Sequence, residues 1–165
     1  MSVLVDTNVL LRRIEPLHDH HRHAVDATAR LVESAEPVHV TPQNIVEFWA
    51  VATRPVAGNG LGLPTTTVVA EIDRIERVFA LLPDHPAIYD HWKRLVATHE
   101  VIGNQVYDAR LVAAMIVHGV GRILTFNTGD FTRYGIEVIH PSAVSSPRQA
   151  FLCLSGPQQI GRRGR

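Results

Sequence analysis

The sequence predicts an α/β fold: three α/β/α layers around a short, mainly parallel central sheet. Three observations support this. Short β-rich apolar runs at Val3–Val5, Val38–Val40, Arg122–Thr125 and Ile136–Ile139 alternate with longer segments of helical periodicity. Such alternation is the pattern of parallel sheets covered by helices on both faces. The chain of 165 residues is 45% hydrophobic and 19% charged, ordinary for one globular domain with its own core.

The first run ends abruptly on Asp6, followed by Thr7 and Asn8 as turn or cap residues and a short helix, Val9 to Ile14. Asp6 therefore stands at the C-terminal end of the first strand, the edge where open α/β sheets place their ligands. Pro16 to His23 is a polar break containing His18, His20, His21 and His23. A His-rich tract binds metal in some proteins, but no cysteine or spaced acid completes a tetrahedral set, so it reads as a solvated loop. A helix follows over Ala24–Ala35.

After the strand Val38–Val40, Thr41 is an N-cap and Pro42 suits the first helical position, predicting a helix to about Arg54. Ile45, Val46, Phe48, Trp49, Val51 and Ala52 make it apolar nearly all round, hence buried, with Glu47 in its middle. A buried carboxylate needs a partner or a cation; the alternative is that Glu47 reaches solvent or pairs with Arg54.

Pro55–Pro64 is a Gly-rich loop whose glycines follow no strand, which argues against a nucleotide-binding fingerprint. Thr65–Thr67 cap a helix to about Phe79, Ala80–Leu82 is a possible short strand, and Pro86–His99 is helical. Asp108 falls in the first turn of an apolar helix running to Val117. An acid is favourable there for the helix itself. Gly119 and Gly121 end that helix. Asn127-Thr128-Gly129-Asp130-Phe131 follows the strand Arg122–Thr125, and Asp130 taken alone reads as a turn residue.

Residues 1–140 make the folded body. From Pro141 to 165 the composition turns to Ser, Pro, Gln, Gly and Arg, with an apolar patch at Ala150–Leu154 and a disordered end; the tail reads as largely flexible. Cys153 is the only cysteine, so a reducing cytoplasm is compatible. No signal peptide or bilayer-spanning run is visible, and a soluble, cytoplasmic protein is expected. Net charge is zero, but all 16 acidic residues precede residue 147 while Arg148, Arg162, Arg163 and Arg165 follow it, leaving the body at −4. That balance argues mildly against a nucleic-acid binder, unless carboxylates bind cations that reverse the local sign.

Asp6, Glu47, Asp108 and Asp130 can converge at the C-terminal sheet edge in such a fold. Carboxylates gathered in one pocket raise one another's pKa and need a counter-cation. Oxygen-only ligation suits Mg²⁺ or Mn²⁺, and such a site activates water against a phosphodiester. There is no Ser-His-Asp set and no thiol nucleophile to suggest other chemistry.

The blocks Asp6-Thr-Asn-Val-Leu-Leu, Glu47-Phe-Trp-Ala, Val-Tyr-Asp108-Ala-Arg-Leu-Val-Ala and Thr125-Phe-Asn-Thr-Gly-Asp130-Phe resemble, in order, the four acidic blocks of a PIN domain over residues 2 to 140, and more narrowly a VapC-type toxin of a toxin–antitoxin pair. The resemblance implies a Mg²⁺- or Mn²⁺-dependent endoribonuclease that restrains translation and growth. It implies that Asp6, Glu47 and Asp108 are the core metal-binding, catalytic acids. Family members carry Asp or Asn two residues after the Thr; here that position is Asn127, so Asp130 is taken as the fourth acid, with Asn127 orienting a ligand or substrate. Asn8 and Thr125 would be supporting or phosphate-contacting groups. A cognate VapB-type antitoxin, often inserting an Arg among the acids, and a homodimer are further implications. The rivals are a non-catalytic PIN-like interaction module, a metal-dependent DNA nuclease, and a strand-Asp phosphotransferase. The haloacid-dehalogenase form of the last wants a second acid where Asn8 stands.

Overall fold

Asp6 owes its position to a strand with no solvent-facing side. In the computed structural model, which describes residues 2–144, β1 (Val3–Val5) is fully buried at every residue. Val3 and Val5 pack on one face of the sheet, whereas Leu4 packs on the other. The two-residue alternation of a strand thus feeds two cores.

The remaining elements follow in order: α1 (Thr7–Arg13), α2 (His21–Glu33), β2 (Val38–Val40), α3 (Pro42–Thr53), α4 (Thr65–Val78), β3 (Ala80–Leu81), α5 (Ala87–Thr98), α6 (Gln105–His118), β4 (Arg122–Leu124), α7 (Thr128–Phe131) and β5 (Glu137–Ile139). The five strands form one sheet in the order β3-β2-β1-β4-β5, parallel at every pairing. Residues of α1 to α4 pack with Val3, Val5, Val38, Val40 and Leu124 on one face. Leu111, Val112 and Met115 of α6 and Phe131 of α7 pack with Leu4 and Ile123 on the other. Ile88 of α5 then packs against Ala113 and Ala114 on the outside of α6. The expected three-layer α/β/α architecture is the one observed.

The chain first builds outward from β1 through β2 to β3, then returns to place β4 on β1's other side. The reversal between β1 and β4 is a topological switch point, where open α/β sheets leave a crevice. Val5 lies opposite Leu124 across that pair, and the Asp6 N–H donates to the Leu124 carbonyl at 3.0 Å. Register alone therefore sets Asp6 beside Thr125.

Several local expectations are corrected. Asp6, not Thr7 or Asn8, is the residue capping α1, and its extended backbone (φ −73°, ψ 151°) ends the strand and starts the helix in one step. The His tract is not merely a solvated loop: His21 and His23 are already in the first turn of α2. Thr65 is the first residue of α4 and makes no capping bond. Asp130 lies in the first turn of a four-residue helix, α7, rather than in a turn. Helix α3 is not buried all round; Phe48 and Ala52 face the core while Val46 is 68% exposed. Its predicted start holds, with Thr41 and Asn44 forming a reciprocal capping box and Pro42 at the first position.

Just past residue 140, the last part of the described chain packs on the body. Pro141 is buried, and the guanidinium of Arg30 donates to the Val144 carbonyl. The Ala150–Leu154 patch, Cys153 and the arginines from Arg148 onward lie outside the described residues. Among the described residues no helix is long and apolar enough to cross a membrane.

Candidate active site

Asp6 is 6% exposed, and its carboxylate is held from one side. Thr125 Oγ1 donates to Asp6 Oδ2 at 2.6 Å and Asn8 Nδ2 donates to the same oxygen at 2.7 Å. Asn8 also donates to Thr125 Oγ1, and its own Oδ1 accepts from the Phe126 N–H. Asn8 and Thr125 thus lock β1, α1 and the segment after β4 around one carboxylate. Burial pushes the Asp6 carboxyl up to about 6 and the nearby Glu47 charge pushes the same way, while donation from Thr125 and the backbone opposes them.

Glu47 is half-buried on α3, six residues beyond the Thr41 cap. Among the described residues it pairs with no arginine. Thr7 Oγ1 donates to Glu47 Oε2 at 2.7 Å, and Gln43 Nε2 donates to Oε1 at 2.8 Å. Behind Thr7, Asn44 Nδ2 donates to the same hydroxyl. Thr7 follows Asp6 directly, so one strand–helix junction serves both acids.

Asp108 lies in the first turn of α6, half-buried. Among the described residues no side chain donates a hydrogen bond to it. Burial first, then the charges of Asp6, Asp130 and Glu47, push its carboxyl up to about 7, and Arg133 opposes them. The four acids predicted from the sequence are therefore electrostatic neighbours, with Asp108 sensing the other three. Asp130 enters through α7, and its own N–H bonds only locally, to the Asn127 carbonyl. Asn127 is exposed and makes no capping bond with its side chain; its backbone N–H donates to Thr125 Oγ1.

Among the described residues no three His, Cys, Asp or Glu side chains close around a single point as a ready-made metal cage. The donor set nevertheless fits a hard divalent cation. It is all oxygen, its carboxyls hold protons up to about 6 and 7, and Mg²⁺ keeps several waters between itself and its ligands. A cation could thus be held by Asp6, Glu47, Asp108 and Asp130 without four direct bonds.

Four contributors were not evident in the sequence: Thr7, Gln43, Asn44 and Arg133. Gln43 had a signal, since it precedes Glu47 by four residues and so shares its helix face. The others depend on contacts between segments distant in sequence. The His tract adds a neighbouring feature. His20 stacks on Phe126 with ring centroids 4.5 Å apart, and His140 meets the same ring edge-on at 5.3 Å.

The strand order, the switch point and the cluster of acids at it define a class that comparison with known proteins makes explicit. A PIN-domain family model matches residues 3–137, and the chain belongs to that family. Within it, the likeness is to VapC proteins. The chain is 33% identical over 144 residues to Ribonuclease VapC24 of Mycobacterium tuberculosis, covering 81% of this chain and 91% of that protein. Among solved structures, VapBC2 from Rickettsia felis, bound to a DNA fragment from its promoter, matches 84% of this chain and 98% of its own with a TM-score of 0.64 at 13% identity. VapC20 of Mycobacterium tuberculosis, a sarcin–ricin-loop-cleaving toxin, matches 81% and 95% with a TM-score of 0.59 at 23% identity. At those identities the two structures speak to the fold.

Proposed function

We propose that this protein is a Mg²⁺- or Mn²⁺-dependent endoribonuclease, the toxin of a VapBC-type pair, acting in the cytoplasm to restrain translation and growth. The single observation that carries this reading is the gathering of the acids at the switch point of the sheet, where burial first, and then the charges of Asp6, Asp130 and Glu47, push the Asp108 carboxyl up to about 7. A pocket that holds its acids so unfavourably is suited to receive a cation. The 33% identity to a protein named as a ribonuclease VapC supports RNA as the substrate.

Asp6, Glu47, Asp108 and Asp130 would hold the cation. When bound, a divalent cation lowers the pKa of a coordinated water and stabilises charge on the phosphodiester oxygens. The chain's own groups supply orientation. Thr125 and Asn8 fix the Asp6 carboxylate, and Thr7 and Gln43 fix Glu47, each oxygen of which takes one donor and keeps a lone pair for the metal or its waters. Arg133, whose charge reaches Asp108, would meet a phosphate of the substrate. A VapB-type antitoxin would inhibit by setting its own cation, an arginine, among the same acids. We assign the active form as a homodimer on the family resemblance.

The test incubates purified, antitoxin-free protein with total cellular RNA and Mg²⁺ or Mn²⁺, with EDTA and Asp6→Asn in parallel. Discrete fragments that vanish in both controls are expected. Intact RNA with clear Mn²⁺ binding would redirect the search to DNA. Intact RNA without Mn²⁺ binding would leave a non-catalytic interaction module.

A further inference from the structure

Glu47 is tied to the rest of the molecule by hydrogen bonds that begin outside the acid cluster. Gln43, one turn earlier on α3, is 9% exposed. Its Nε2 donates both to Glu47 Oε1 at 2.8 Å and to the Tyr107 carbonyl at 2.9 Å. Its Oε1 accepts from Arg110 Nη1 at 2.9 Å, and Arg110 Nη2 in turn pairs with Asp84 Oδ1 at 2.8 Å. Tyr107 is the residue before Asp108. One amide therefore spans from a side chain on α3 to the backbone that presents Asp108 on α6.

We propose that Gln43 is a positioning residue for the metal-binding acids: its amide braces Glu47 against the Asp108 turn, and Arg110 fixes which way the amide points. The proposal rests on the metal-site reading above. Glu47 and Asp108 repel each other across two helices, so their spacing needs a tie that does not neutralise either. A guanidinium in direct contact with Glu47 would offset the charge a cation needs. Arg110 instead spends its charge on Asp84 and reaches Glu47 only through a neutral amide. Arginine is donor-only, so its contact with Oε1 forces the Gln43 NH₂ toward Glu47 and Tyr107. Partners of this kind behind a metal ligand typically govern metal affinity by about 10- to 100-fold.

The test is calorimetric titration of Mn²⁺ into metal-free wild type, Gln43→Met, Arg110→Gln and the double variant, with Tm measured in EDTA. Gln43→Met keeps the side chain's length and removes its donors; it should bind Mn²⁺ at least about tenfold more weakly while Tm moves little. Arg110→Gln gives a result of informative sign. By charge alone, removing a cation near four acids tightens Mn²⁺ binding; as part of the brace, its loss weakens binding several-fold. The double variant should bind no more weakly than Gln43→Met, because Arg110 acts through Gln43. Gln43→Met affinity within twofold of wild type, or tighter binding by Arg110→Gln, overturns the proposal. Should Gln43→Met fail to fold, the sign of the Arg110→Gln effect decides alone. Wild type that takes up no Mn²⁺ overturns the metal-site reading and this one together, whereas Mn²⁺ uptake without RNA cleavage leaves the brace standing.

Discussion

A carboxyl that resists ionisation leaves a mark on stability. The folded-state values of Asp6, about 6, and Asp108, about 7, both lie above the ordinary 3.8, so the native state holds those protons more tightly than the unfolded chain. Their contribution to stability is present in full below about pH 4 and is lost as pH rises through 6 and 7. In EDTA, wild-type Tm should therefore climb as pH falls from 8 to 5.5. Asp108→Asn should flatten that climb and raise Tm at pH 7.5 by about 2–4 °C, while abolishing RNA cleavage. A steeper climb in the variant would contradict the electrostatic account. Protons and metal compete for the same oxygens, so Mn²⁺ affinity should weaken about tenfold per pH unit for each displaced proton once pH falls below 6. Asp6 and Glu47 were legible in the sequence because a carboxylate ending a strand, or set in an apolar helix, asks for an explanation; Asp108 and Asp130, read alone as a helix-start acid and a turn residue, joined them only through the set as a whole and its likeness to the PIN blocks. Thr7 was not, because a threonine after a strand looks like a cap whatever its hydroxyl does.

At the level of the element, α3 shows which local signals suffice. Thr41 and Pro42 announced its start, and the structure closes a reciprocal box there: Asn44 Oδ1 accepts from both the Thr41 N–H and the Thr41 hydroxyl. Asn44 then passes a hydrogen bond to Thr7, which holds Glu47, so the helix cap and the acid belong to one network. Thr41→Ala should cost about 1 kcal/mol from the lost cap and lower Tm by about 2–4 °C, and it should also weaken Mn²⁺ binding. A variant that loses the Tm alone would separate cap from site. The exposure of Val46 was not legible, since a valine contributes to an apolar pattern whichever way it faces. It lines a groove of about 280 Å³ with Pro42, Gln43, Glu47, Asp84, Tyr107 and Arg110, beside the acids. Helix α7 escaped notice for a different reason. Four residues carry too little periodicity to count, and Asn127 and Gly129 are turn formers by local preference.

For the whole molecule, alternation of strands and helices was enough to predict a parallel sheet in three layers. It was not enough to give the strand order, because which neighbour β1 takes on its second side is settled by contacts across more than 100 residues. Composition puts the far boundary at residue 140; just beyond it Pro141 is buried and Arg30 holds the Val144 carbonyl. Accordingly, a chain ended after Ile139 should melt several degrees below one ended after Val144, as measured by thermal unfolding in EDTA. Equal melting would place the edge of the cooperative unit at β5.

The late arrival of β4 beside β1 has a consequence for the ribosome that makes this chain. Asp6 and Glu47 leave the exit tunnel early, but Thr125 follows β4 and Asp130 lies on α7, both made late, and β1 lacks its second neighbour until then. On the proposed function, every shorter nascent chain would be an incomplete nuclease, unable to attack the transcript or the machinery translating it. Polypeptides ended at Gly121 should accordingly show no Mn²⁺-dependent cleavage of RNA, and synthesis of the domain would arm it only within its final few dozen residues.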